Sequence, residues 1–153
     1  MSEFIGANEP AIRLSFFLGI FVVVVLWEFA SPRRPLSQAR WRRWYSNIGI
    51  VVLNTVAVRL LIPLAPVALA VAAEARGWGI LNLLDLPNCL TILISVIALD
   101  FVIYLQHIMF HAVPALWRLH RMHHADLDFD VTTGARFHPV EIILSILLKF
   151  AAI

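Results

Sequence analysis

Charge is what this chain is short of: 14% of its 153 residues are Asp, Glu, Lys or Arg, against about 25% in soluble domains. The hydrophobic share is 61% and the mean hydropathy is clearly positive, so an ordinary soluble domain is excluded and a membrane protein is indicated. Cysteine is nearly absent too. Cys89 stands alone, which rules out a disulfide within one chain and leaves the redox compartment open. No nucleic-acid patch exists, because the basic residues flank apolar segments in the positive-inside manner. No basic region precedes the first apolar run, so that run is read as a retained helix and not as a cleaved signal peptide.

In chain order, residues 1–11 form a short polar lead with Glu3 and Glu9. Ile12 to Ala30 has the roughly 20-residue length a bilayer demands. Ser31 to Ser46 carries Arg33, Arg34, Arg40, Arg42 and Arg43 among Trp41, Trp44 and Tyr45. It reads as a cytoplasmic loop with an interfacial aromatic belt, or alternatively as a specific anionic-lipid site. Asn47 to Ala73 is a second span, interrupted by Pro63 and Pro66 and carrying Arg59; a kink is expected there. Glu74 to Asn88 is an outer loop poor in basic residues. The third span, Cys89 to about Val113, returns to the cytoplasmic side, and Val140 to Ile153 begins another apolar run. The fold class is all-α, an integral-membrane helical bundle with a histidine-rich helical cap on the cytoplasmic side.

What the chain does have is histidine in one place. All six lie between His107 and His138, in HIMFH, LHRMHH and RFHPVE. Asp100, Tyr104, His107 and His111 are spaced 4, 3 and 4 apart, which places them on one narrow helical face. An ionisable residue within a membrane helix faces the bundle interior by default. Asp100 is thus either a structural ion-pair or hydrogen-bond partner or the support of a metal-ligating histidine. Arg59 and Asp100 each lie about twelve residues, roughly 18 Å, from the cytoplasmic ends of their segments, so they are expected to pair across the second and third helices.

Pro114 suits the first position of a new helix. That helix is expected to run through Leu116, Trp117, Leu119 and Met122, with His120, His123 and His124 on one side. Five clustered imidazoles would otherwise compete for few hydrogen-bond partners, so HxxxH followed by HxxHH is read as metal ligation. Nitrogen donors without thiolate suit iron, copper, zinc or nickel. Haem is the rival, but its iron takes one or two axial ligands, and adjacent His123 and His124 would be redundant. Asp126, Asp128 and Asp130 read as a solvated loop or capping acids, or else as carboxylate ligands or a docking face for an electron donor. His138 joins the ligands, and Glu141 is expected to accept from an imidazole and fix it.

With Asp100, Tyr104 and HIMFH, then LWRLHRMHHAD, then DVTTGARFHPVE, residues 90–148 resemble the fatty acid hydroxylase and sterol desaturase superfamily, near its bacterial sterol desaturase-like branch. The resemblance divides the chain into a membrane region, 1–89, with two transmembrane helices, and the N-terminal part of a hydroxylase domain, 90–153. It implies a non-haem di-iron enzyme holding two iron ions that uses O₂ and two electrons to hydroxylate or desaturate a lipid C–H bond. The ligands carried over are His107 and His111, then His120, His123 and His124, then His138. The lipid substrate would enter from the bilayer, and electrons would come from an external donor, a reductase, cytochrome b5-like or ferredoxin-like. A bacterial inner membrane is expected, with the N-terminus outside and the histidines cytoplasmic.

Full members continue through a returning helix and a last HxxHH-type box. The 153 residues are therefore expected to be an N-terminal fragment that is not a competent oxygenase alone. Readings from other classes are a metal-transporting or metal-binding membrane protein, and a non-catalytic one retaining its histidines for assembly.

Overall fold

The structure is a computed structural model that describes residues 2–62, 66–84 and 86–153, with side chains from residue 7 onward. Among the described residues six α-helices follow in order: α1 Ser2–Ala30, α2 Arg40–Leu61, α3 Pro66–Ala75, α4 Asn88–Ala112, α5 Pro114–His120 and α6 Pro139–Ala152. Short 3₁₀ turns stand at Ile80–Leu83, His123–Ala125 and Thr133–Ala135. Helices within Ala7–Ala30, Arg40–Leu83 and Asn88–Ala112 are long and apolar enough to cross a membrane. The chain is an all-α membrane bundle.

Two boundaries differ from the sequence expectation. The polar lead is already helical in α1, where Glu9 and Arg13 pair at 2.9 Å one turn apart. The basic stretch is helical from Arg40, because nothing between Arg40 and Leu61 breaks a helix, while Pro35 and the linker before it do. The second apolar segment is divided between α2 and α3, and Pro66 takes the first position of α3, where its missing N–H costs nothing. The expected kink at Pro63 lies outside the described residues.

The interior is inverted relative to a soluble protein. Among the described residues only Ala73 and Phe110 are buried apolar side chains, whereas Arg43, Asn47, Asn54, Gln106, His120, Asp126, Asp128, Thr132, Thr133 and Glu141 are all buried. Leu, Ile, Val and Phe side chains along α1, α2 and α4 point outward. That pattern is stable only where hydrocarbon surrounds the helices and the polar groups satisfy one another inside. The short α6 packs against both α2 and α4 and against α5. Helix α1 joins the rest through its last turn, where Glu28 accepts from the Val131 N–H at 2.8 Å and Phe29 meets Trp44 edge to face.

Candidate metal centre

Helix α4 ends because Pro114 follows Val113, which is forced into extended backbone at φ −91° and ψ 117°. Pro114 then opens α5, and the Trp117 N–H bonds the Val113 carbonyl at 2.8 Å. The abrupt reversal lays α5 on the end of α4. His120 meets His107 and His111 there, with ring centroids at 4.9 and 4.8 Å, and the two α4 imidazoles are 4.7 Å apart. One ring nitrogen from each of the three can be chosen so that all lie within 4.8 Å of one another.

The single longer helix expected beyond His120 is not formed. Helix α5 stops at His120, and His123–Ala125 is a 3₁₀ turn. Because Arg121 and Met122 keep right-handed helical dihedrals, the chain still carries His124 round by one turn. Its Nε2 comes to 3.2 Å from His120 Nε2, and its ring lies 4.9 Å from that of His111. Four imidazoles therefore converge. His123 turns aside to stack on Phe137 at 4.5 Å, and its buried Nδ1 has no partner. His138 caps α6, its Nδ1 accepting from the Val140 N–H at 3.2 Å, and has no ring contact with the other five.

Behind His120 stands Glu141, in the first turn of α6, with Oε1 2.6 Å from His120 Nδ1. Both side chains are buried. Burial, reinforced by the neighbouring His107 and His111, pushes His120 down to about 4. Burial also lowers His123, together with His124 and His120, and lowers His124, together with His120 and His111. It holds Glu141 above the ordinary carboxylate range, partly offset by the nearby histidines, His123 foremost. Near neutral pH His120, His123 and His124 are therefore uncharged. In the Nδ1–H tautomer, His120 donates to Glu141 and presents the Nε2 lone pair to the cluster, the carboxylate–histidine arrangement that orients metal ligands.

The donor set fits a metal ion. Neutral imidazoles are what late first-row ions bind. Two nitrogens 3.2 Å apart have the separation of neighbouring ligands whose bonds to one ion are about 2.1 Å long. Phe110, buried against His120, and Trp117, beside His111 and His124, wall the group with apolar rings.

Asp100 and Tyr104 share the α4 stripe but are exposed, away from the packed helices. The expected Arg59–Asp100 pair is not formed, and Asp100 bonds no histidine; among the described residues neither Asp100 nor Arg59 has an ion pair. Helix α6 packs against both α2 and α4. Asp100 also sits seven residues before His107, roughly 10 Å by helical rise.

The three aspartates are buried or half-buried, not solvated. Asp126 accepts from Arg43 Nε at 2.8 Å and Nη2 in a two-pronged pair, from Thr133 Oγ1 at 2.8 Å, and from Asn47. Asp128 accepts from the Ser37 and Gln38 N–H groups and the Ser37 hydroxyl. Asp130 accepts from Trp44 Nε1 and Thr132 and lies 3.1 Å from Arg43 Nη1. These acids are therefore neither metal ligands nor a docking face: they fasten the segment after the histidines to the start of α2. On the other side of this latch Asn47 bonds Thr132 and Arg136, and Asn54 bonds the Phe137 carbonyl. Arg43, Asn47 and Asn54 were missed by the sequence reading. Their i, i+4, i+11 spacing, one face of a helix, was the signal that could have found them.

Comparison with known proteins adds the following. Residues 92–153 match the fatty acid hydroxylase family model. Over 141 residues the chain is 22% identical to the ornithine lipid hydroxylase OlsE of Rhizobium tropici, an alignment covering 86% of this chain and 41% of that protein. The chain thus spans about two fifths of that relative's length. No solved structure matches. The matched segment contains every histidine of the cluster, and it is over this segment that the chain is similar to the fatty acid hydroxylase and sterol desaturase superfamily.

Proposed function

We propose that this chain contributes the first part of a membrane-bound, O₂-dependent lipid hydroxylase whose ligands are the clustered histidines. One observation carries the reading: His107, His111, His120 and His124 converge at the end of an apolar, membrane-length helix, with Glu141 bonded behind His120. Residues 1–89 serve as membrane region and residues 90–153 as the beginning of the metal-binding domain. Non-haem iron held there would supply activation of O₂ toward a lipid C–H bond.

The chain's own residues have separate tasks. His107 and His111 offer two donors from one helix face. His120 is oriented by Glu141, so that one imidazole nitrogen is committed to the protein and the other to the ion. Phe110 and Phe137 line the His120 side of the group and Trp117 its His111 and His124 side, whereas His107, His111 and His124 remain exposed. His123, with its unpartnered Nδ1, and His138, after release of the Val140 N–H, are the remaining donors toward a second iron. The outward-facing apolar side chains of α4 let a lipid approach from the bilayer, and a reductase, cytochrome b5-like or ferredoxin-like protein would deliver electrons at the histidine end.

The test is lipid extracts of cells expressing the intact protein, compared with and without O₂, together with metal analysis of the purified protein. An oxygen-dependent hydroxylated or desaturated lipid, two irons per chain, and loss of the product in His120→Ala are expected. One zinc per chain, or none, with no product would instead mark a metal-binding or non-catalytic membrane protein.

A further inference from the structure

A second polar site lies where the last turn of α1, the linker before α2 and residues 128–130 meet. It is an open pocket of about 400 Å³ whose charged lining includes Glu28, Arg33, Arg34, Arg40, Asp128 and Asp130, within the size range of small-molecule sites. Half of these charges are already committed. Asp128 is saturated by Ser37 and Gln38, Asp130 by Trp44 and Thr132, and Arg34 donates to the Leu127 carbonyl at 2.8 Å. What remains is a small, specific set. Among the described residues Arg33 makes no hydrogen bond or ion pair. Arg40 is fixed with its guanidinium 4.0 Å above the Phe29 ring, yet its buried Nη1 has no partner. Glu28 spends Oε1 on Val131, while its buried Oε2 has none.

Two uncommitted cations and one uncommitted carboxylate oxygen thus face one pocket at the end of a membrane-length helix. We propose that this pocket binds the zwitterionic head group of a membrane phospholipid, its phosphate between Arg33 and Arg40 and its primary ammonium at Glu28. Arginine suits the phosphate because its N–H groups match the oxygen geometry. The carbonyl end of α1 adds to the attraction of Glu28 for the cation. Leu36 and Phe129, also in the lining, offer the apolar flank on which the first acyl carbons would rest.

The proposal needs no metal and is read by binding. The protein is placed in nanodiscs of equal phosphatidylethanolamine and phosphatidylglycerol, and the lipids it retains after gentle extraction are counted by native mass spectrometry. Enrichment of phosphatidylethanolamine by at least about threefold over the bilayer is expected. Glu28→Gln should abolish that preference, and Arg33→Ala and Arg40→Gln should each lower retained lipid about tenfold, the loss of one charge-assisted bond. Arg33 is exposed, so its variant reads binding even if Arg40→Gln fails to fold. Retained lipid that mirrors the bilayer, or that Arg33→Ala and Glu28→Gln leave unchanged, overturns the proposal. Displacement by millimolar phosphoethanolamine would overturn the lipid assignment in favour of a soluble phosphate ester.

Discussion

Glu141 is the residue, other than the imidazoles themselves, that the proposed metal centre would depend on through a direct contact, its Oε1 lying 2.6 Å from His120 Nδ1. An ionised carboxylate at that position favours the proton on His120 Nδ1 and leaves the Nε2 lone pair toward the cluster. Replacing it with glutamine keeps the volume and an acceptor oxygen but removes the negative charge that strengthens the bond and raises ligand basicity. Glu141→Gln is therefore expected to weaken iron binding by about 10- to 100-fold, measured by competition with a chelator of known affinity, while helical content stays unchanged. The sequence made this partly legible. Clustered histidines imply neutral ligands, and a glutamate three residues beyond His138 is a natural acceptor. The spacing pointed to no particular imidazole, because the contact is made across α5 and α6, 21 residues apart. Nor could spacing distinguish a liganding His138 from one whose Nδ1 caps α6, since both fit a histidine before Pro139. Phe137 has a role that no pattern announced, stacking at 5° to the plane of His123. Phe137 is half-buried, so Phe137→Ala should cost less than the roughly 3–5 kcal/mol of a fully buried phenylalanine, seen as a lower thermal unfolding midpoint in detergent.

At the level of elements, the latch between α2 and residues 126–137 decides whether the histidine cap stays on the bundle. Arg43 and Asp126 are both buried and joined by two hydrogen bonds. Removing one partner strands the other charge, so Arg43→Met should destabilise by about 3–5 kcal/mol, whereas Arg43→Met combined with Asp126→Leu should lose less than either single change. Denaturant or thermal melts of the three variants measure this, and equal, additive losses would argue against a coupled pair. The pH dependence has a definite sign. Burial alone would raise the Asp126 carboxyl, but hydrogen bonds from Arg43, Thr133 and Asn47 and the charge of Arg43 outweigh it and hold it below the ordinary range. A depressed carboxylate contributes stability that is complete above its unfolded pKa, about 4, and is lost as the pH falls through its folded value. The unfolding midpoint should therefore fall below about pH 4, with a shallower fall in Asp126→Asn. Here the sequence was harder to read. The basic stretch beside α2 and the ADLDFD run each look like solvated surface when taken alone, and their pairing spans 83 residues between Arg43 and Asp126. By contrast α4 was legible to within a residue at each end, since an unbroken apolar run bounded by Pro87 and Pro114 allows little else.

The whole molecule is polarised along the membrane normal, and this leads to the last expectation. Arg33, Arg34, Arg40, Arg42, Arg43, Arg118, Arg121 and Arg136, eight of the twelve basic residues, lie at the end where α1 finishes, α2 begins and the histidines gather. Anchoring contacts such as Glu28 to Val131 and Arg43 to Asp126 hold these parts together at one face. By the positive-inside rule a cluster of this kind is expected on the cytoplasmic side, which would put the histidine cluster there as well. Helix α4 has 25 residues, roughly 37 Å by helical rise, enough to cross a hydrocarbon core about 30 Å thick. Its other end carries Cys89, exposed, unpaired and the chain's single cysteine, so the native sequence already contains a one-site reporter of orientation. In intact cells a membrane-impermeant maleimide should label Cys89 without permeabilisation, and Cys89→Ser should abolish the signal. A cysteine introduced at Leu127, exposed at the histidine end, in the Cys89→Ser background should react only after the membrane is opened. The reverse pattern would place the metal centre outside, away from cytoplasmic reductants, and would remove the electron supply that the proposed chemistry requires.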